Sequence, residues 1–262
     1  MPVYEYNSLP VHYKRTGTGK PLLVLHGWGS SSDVMMPLAR QLAPTHTCYL
    51  PDLPGFGATP PPDSPWRIDD YADLIHDFIR DLELKEPDIL AHSFGGRIIL
   101  KLSARDKAGS LLGKILITGG AGMKPRRKAS FYLRKYLARI LKAPFMLLPS
   151  TLREPSLRWL RNTSLWKKLG SGEYQQLQGV MRETFVHTVT EFLEPCLPEI
   201  HHEVLLLWGL QDDATPLYQA RRMEEGIHSA ALITIDEAGH YAFLDQPRKF
   251  TLIAEAFYTS SG

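Results

Sequence analysis

The chain reads as an α/β fold: a mostly parallel central sheet covered by helices on both faces, with an inserted helical lid. Three observations predict it. Short, nearly continuous apolar runs have the character of parallel strands buried on both faces. Segments with apolar residues at three- and four-residue spacing alternate with them, as crossover helices do. One stretch, residues 123–198, breaks the alternation and offers helical pattern and loops without a convincing strand.

The elements follow in order. Residues 3–6 and 11–14, separated by a break at Pro10, form a hairpin. Strand-like runs occupy residues 22–26, 47–50, 88–92, 114–118, 204–208 and 231–235. Helical patterns cover 34–42, 68–84, 95–104, 217–226 and 248–258. No internal repeat or low-complexity tract interrupts them. The expected organisation is a core made of residues 1–122 and 199–262, with residues 123–198 inserted between two core strands. Connections this long in compact domains usually serve function, so the insertion is expected to be a lid rather than a plain cover.

With 44% hydrophobic and 22% charged residues, the composition excludes a disordered chain. The opening MPVYEYNSLP has neither a positive n-region nor an apolar h-region, and no apolar run approaches the ~20 residues that span a bilayer. Cys48 and Cys196 are too few for a disulfide scaffold and read as small hydrophobes in a reducing compartment. The expected location is cytoplasmic. The net charge of +2 hides an asymmetry: residues 124–168 hold thirteen Lys or Arg and one acid, Glu154, a balance of +12 against −10 elsewhere. Such a field bears on partners and steering, not on fold.

Three loop signals fall at strand ends, where open α/β sheets place their sites. Ala91-His92-Ser93-Phe94-Gly95-Gly96 puts a serine between a strand and a helix. A serine on so sharp a turn needs small neighbours, because the adjoining backbone comes close. The usual pattern is Gly-x-Ser-x-Gly, and Ala91 is the smallest replacement for its first glycine. Leu210-Gln211-Asp212-Asp213 follows an apolar strand; a carboxylate there can orient an imidazole, although Asp in this context is often only an N-cap or Asx turn. Ala238-Gly239-His240-Tyr241 supplies a histidine, whose ordinary pKa suits a general base. Of the ten histidines, His92 is expected to point away from Ser93 and to pack.

The order Ser93, Asp212, His240, together with Leu25-His26-Gly27-Trp28-Gly29 and Asp52-Leu53-Pro54-Gly55-Phe56-Gly57, resembles the α/β-hydrolase family along nearly the whole chain. That resemblance implies a triad of Ser93, His240 and Asp212, with an oxyanion hole formed by the backbone N–H groups of Trp28 and Phe94. Some members carry the acid after the sixth strand. Residues 119–123, Gly-Gly-Ala-Gly-Met, hold no carboxylate there, so Asp212 is favoured, with Asp213 as the fallback.

The resemblance implies a serine hydrolase acting on a small to medium hydrophobic carboxylic ester. The alternatives are carbon–carbon bond hydrolysis or a lyase reaction with the same triad, or a ligand-binding receptor of slow turnover. His26, Tyr136, Trp159, Met181 and Tyr241 are the expected pocket residues. In the lid, Leu133, Tyr136, Leu137, Ile140 and Leu141 share a helical face, with Arg134, Lys135, Arg139 and Lys142 largely on the others. That basic helix is either simply solvated, or attracts an acidic partner such as an acyl carrier protein or an anionic ester, or meets an anionic membrane surface. No metal, nucleotide or flavin motif appears, so no cofactor, metal or nucleic-acid partner is expected.

Overall fold

The computed structural model describes residues 1–126, 143–145, 149, 152, 155–156 and 177–260. Eight strands form one sheet: β1 (Val3–Tyr6), β2 (Leu9–Thr16), β3 (Lys20–Leu25), β4 (His46–Pro51), β5 (Asp88–His92), β6 (Ile115–Thr118), β7 (Val204–Gly209) and β8 (Ala230–Ile235). Their spatial order is β1-β2-β4-β3-β5-β6-β7-β8. The β1–β2 and β2–β4 pairs are antiparallel, and every pair from β4 to β8 is parallel. The chain therefore runs outward from β3 to β4 and then crosses back to β5. Sheets of this kind bind ligands at such a reversal, outside the carboxyl ends of the strands, which here are β3 and β5.

Among the described residues the helices are α1 (Ser32–Leu42), α2 (Ile68–Asp81), α3 (Phe94–Arg105), α4 (Gly179–Thr190), α5 (Leu217–Gly226), α6 (Ala242–Asp245) and α7 (Pro247–Thr259). Alternation along β3 sets the layers, since successive side chains leave on opposite faces. Leu22 and Val24 join Met35, Leu38, Phe250 and Ala254, so α1 and α7 cover one face. Leu23 and Leu25, equally buried, point to the other, where α3 approaches so closely that a Cβ on Gly95 would lie 2.7 Å from that of Leu25.

Three elements depart from the expectations. The hairpin expected to break at Pro10 turns instead at Asn7 and Ser8, both at positive φ, and Pro10 lies within β2 opposite Glu5. The pattern over 68–84 predicts a helix to Leu84, yet α2 ends at Asp81. The Glu83 N–H bonds to Arg80 O, the Leu84 N–H returns to Ile79 O at 2.9 Å, and Glu83 itself sits at φ +51°. This is a left-handed helix stop, and Leu84 is buried because the chain folds it back onto the helix end. The run 231–235 predicts a strand buried on both faces. β8 is instead the sheet edge, with Ile233 exposed and Ile235 buried.

The chain divides into two compact units, Met1–Lys124 with Val186–Gly262, and Pro125–Phe185. Within the larger unit, the chain's exit toward the smaller one and its return from it are tied together. The Leu193 N–H donates to Gly122 O at 2.9 Å, and the Lys124 N–H to Glu194 Oε1 at 2.5 Å. Arg97 of α3 is buried and donates through Nη1 to the carbonyls of Thr188 and Glu191, at 2.6 and 2.8 Å. Among the described residues, no helix is long and apolar enough to cross a membrane.

Candidate active site

Ser93 stands between β5 and α3 at φ 51° and ψ −105°, a conformation that residues other than glycine rarely adopt. The neighbours make that strain affordable. Ser93 N–H donates to Thr118 O of β6, Gly95 N–H to His26 O, and the Ser93 carbonyl accepts from Gly96 and Ala121 N–H, each at 3.1 Å. Any side chain at Gly95 would meet Leu25, and a Cβ at Gly96 would stand 3.1 Å from Gly120 Cα. These contacts lift the serine above the sheet at the start of a helix, whose first N–H groups have no partner within it.

The structure brings Ser93, His240 and Asp212 together. The Ser93 hydroxyl donates to His240 Nε2 at 3.1 Å, and His240 Nδ1–H donates to Asp212 Oδ2 at 2.9 Å. Asp212 is almost wholly buried, whereas Asp213 is exposed. Burial alone would raise the Asp212 pKa. The hydrogen bonds from His240, the Thr215 N–H and the Thr215 hydroxyl, with the charge of His240, outweigh it and hold the group below the usual aspartate value. An anionic carboxylate is thus kept against an imidazole whose far nitrogen accepts from a serine. This arrangement can deprotonate the hydroxyl and stabilise the imidazolium that results.

The loop after β3 lies beside the nucleophile. A Cβ on Gly27 would come within 3.2 Å of Ser93 Cβ and 3.1 Å of His92 Cδ2, so a larger residue would crowd both side chains. Gly29 takes φ +70°, and the Ser30 N–H closes a turn onto Gly27 O. Trp28, between the two glycines, lies 4.8 Å from the Phe56 ring and 5.1 Å from that of Phe94.

His26, expected in the pocket, is fully buried: Nδ1–H donates to Gly27 O at 2.8 Å and Nε2 accepts from Leu53 N–H at 3.0 Å. Burial pushes its pKa down to about 4, so the ring is a neutral strut between two loops. Asp52 continues that bracing. Its oxygens accept from Ser32 N–H and Ala58 N–H, and a Cβ on Gly57, at φ +57°, would lie 2.3 Å from its carboxyl. Tyr241 is 37% exposed next to His240. Met181 lies on α4 and is buried. Tyr136, Trp159 and the amphipathic face 133–142 lie outside the described residues.

Two contacts escaped the reading of the sequence. His92 packs its ring 4.7 Å from that of His240 and 4.8 Å from that of Tyr241. Burial first, and the neighbouring His240 charge second, lower its pKa to about 3. Thr215 touches Asp212 through both its N–H and its hydroxyl, at 2.8 Å each. The spacing Asp-x-x-Thr was the available signal, since Asx turns join residues two or three apart.

Residues 22–251 match the profile of the Alpha/beta hydrolase family. The chain is 25% identical to a pimeloyl-[acyl-carrier protein] methyl ester esterase of Chromobacterium violaceum, over 89% of this chain and 92% of that protein. It is 24% identical to a 2-hydroxymuconate semialdehyde hydrolase of Pseudomonas sp. strain CF600, over 92% and 88% respectively. Among solved structures, an esterase from Exiguobacterium antarcticum superposes with a TM-score of 0.74 at 23% identity, covering 98% of both chains.

Proposed function

The chain belongs to the alpha/beta hydrolase family, and from that premise we propose that it cleaves a small to medium hydrophobic carboxylic ester through an acyl-enzyme on Ser93. One observation carries the reading: the unbroken run Ser93 Oγ–His240 Nε2, His240 Nδ1–Asp212 Oδ2, at 3.1 and 2.9 Å. His240 takes the hydroxyl proton as Ser93 attacks the carbonyl carbon. The oxyanion that forms is held by the N–H groups of Phe94 and Trp28, the first at a helix N-terminus and the second on the loop that Gly27 brings against Ser93. His240 then gives its proton to the leaving alkoxide, and the acyl group stays on Ser93. Water, deprotonated by the same imidazole, attacks the acyl carbon and releases the acid, restoring the serine.

The likeness to a 2-hydroxymuconate semialdehyde hydrolase favours a second reading, hydrolysis of a carbon–carbon bond by the same three residues. Aryl esters of graded acyl length, set beside 2-hydroxymuconate semialdehyde, separate the two. Sustained turnover of the esters supports the first reading. Turnover of the semialdehyde with sluggish esters replaces it, and a single slow burst with either marks a receptor.

The +12 balance of residues 124–168 suits an acidic partner or an anionic ester. The name of the Chromobacterium relative, an esterase for an ester borne on an acyl carrier protein, points the same way. Raising ionic strength should then lower kcat/KM for an anionic ester and spare a neutral one of matched length. Equal salt profiles would reduce the basic segment to a solvated face.

A further inference from the structure

Among the described residues, Thr215 is the one side chain outside the three named residues that donates to the Asp212 carboxylate. Four donors among the described residues meet that group, matching its four acceptor positions. Oδ1 takes the N–H groups of Ala214 and Thr215 at 2.9 and 2.8 Å, and Oδ2 takes the Thr215 hydroxyl and His240 Nδ1–H at 2.8 and 2.9 Å. The hydroxyl and the imidazole therefore share a single oxygen, and Thr215 Oγ1 stands 3.4 Å from His240 Nδ1.

Thr215 is itself fixed. It is buried, its carbonyl accepts from the Trp208 indole N–H at 2.8 Å, and its Oγ1 is 3.0 Å from Gly119 O at the end of β6. A hydroxyl has one proton. With Asp212 ionised, that proton belongs on Oδ2, because a lone pair facing a carboxylate at 2.8 Å would be repulsive. Gly119 admits the arrangement, since a Cβ there would lie 3.0 Å from the His240 ring.

We propose that Thr215 is a positioning residue for His240: by donating to Asp212 Oδ2 it fixes the rotation of the carboxylate and draws off part of the charge that faces the imidazole. The proposal rests on the Ser93, Asp212 and His240 reading given above. Without the hydroxyl, Oδ2 keeps more negative charge for the imidazolium, so His240 becomes more basic, and the carboxylate loses one of two restraints on that oxygen. The other groups facing His240 stay as they are: Ser93, His92 on β5, Tyr241 beside it, and Asp245, whose Oδ2 accepts the Gly239 N–H at 2.8 Å.

The test is Thr215→Val, which keeps the branched shape and the backbone bond to Oδ1. The acid limb of kcat/KM should move up by about half a pH unit and plateau kcat should fall about three- to tenfold, in keeping with one hydrogen bond to a charged group. Thr215→Ser should restore both. Thr215→Ala, a second variant without the hydroxyl, should move the limb the same way should the valine chain not fold. In an Asp212→Asn background, Thr215→Val should add almost nothing, because the two act as one unit. An unmoved limb with full kcat, or losses that multiply in the double variant, would overturn the proposal. Failure of the triad reading looks different: Ser93→Ala would keep its activity whatever stands at 215.

Discussion

His240 Nε2 lies 3.1 Å from the Ser93 hydroxyl across 147 residues of chain, and the serine reaches it from a backbone conformation its residue type avoids. The strain persists because β6 and the first turn of α3 hold the serine's own N–H and carbonyl, and the loop after β3 holds Gly95. The strained rotation of one residue places the hydroxyl on the sheet's carboxyl edge, within reach of the loop that follows β8.

Ser93→Ala should abolish ester turnover, since losing a triad nucleophile costs on the order of 10³–10⁶ in kcat. The circular-dichroism spectrum and melting curve should stay close to those of the parent. A fluorophosphonate should label the parent at Ser93 alone, as read by peptide mass spectrometry. A labelled site elsewhere would reassign the nucleophile.

Asp212→Asn should lower kcat by about 10⁴, because an amide favours the wrong histidine tautomer. Asp213→Asn should change it little, as that side chain is exposed beyond the turn. Steady-state kinetics on one aryl ester compares the two. A reversed ranking would move the acid to Asp213.

Stability should decline as the pH is lowered from about 6.5. Burial lowers the His26 pKa to about 4 and, with the charge of His240, the His92 pKa to about 3. Below the ordinary histidine value the unfolded chain therefore binds these protons first and is favoured. Each histidine should cost about 1.4 kcal/mol per pH unit across its window, down to pH 4 for His26 and pH 3 for His92. Urea unfolding at half-unit steps from pH 7 to pH 4.5 measures the slope. A flat profile would mean that these rings are open to solvent.

Gly95→Ala should destabilise the chain and disturb the nucleophile together. The added methyl would stand 2.7 Å from Leu25 Cβ and 2.8 Å from its carbonyl oxygen. Overpacking of this kind costs about 1–3 kcal/mol, so the urea midpoint should fall while kcat falls as well. Parent values for both would show that β3 and α3 can part without loss.

Much of this was legible because local pattern and local structure coincide. The run 88–92 and the helix 217–226 match β5 and α5 residue for residue, and His240, Asp212 and Ser93 announce themselves at strand ends. What escaped depends on distant partners. Leu84 continues the spacing of α2, and only the fold-back onto Ile79 reveals that the helix has stopped. The apolar run 231–235 does not tell a central strand from an edge, because that depends on which strands lie beside it. The short helix α6 has too few residues for a period to show. Thr215 reads as an ordinary turn residue until Gly119, 96 residues earlier, closes the space above it.

The exit at Gly122–Lys124 and the return at Thr188–Glu194 are closed by hydrogen bonds inside the larger unit, which makes residues 125–185 an exchangeable module in terms of design. The sheet meets two neighbouring ends held by several hydrogen bonds, not the length that joins them. Closing a flexible connection grows costlier only with the logarithm of its length, by about 0.6 kcal/mol for each doubling. Residues 125–185 should therefore tolerate lengthening or exchange with the sheet and the Ser93 turn left to fold as before, provided that Thr188, Glu191 and Leu193 keep their bonds to Arg97 and Gly122.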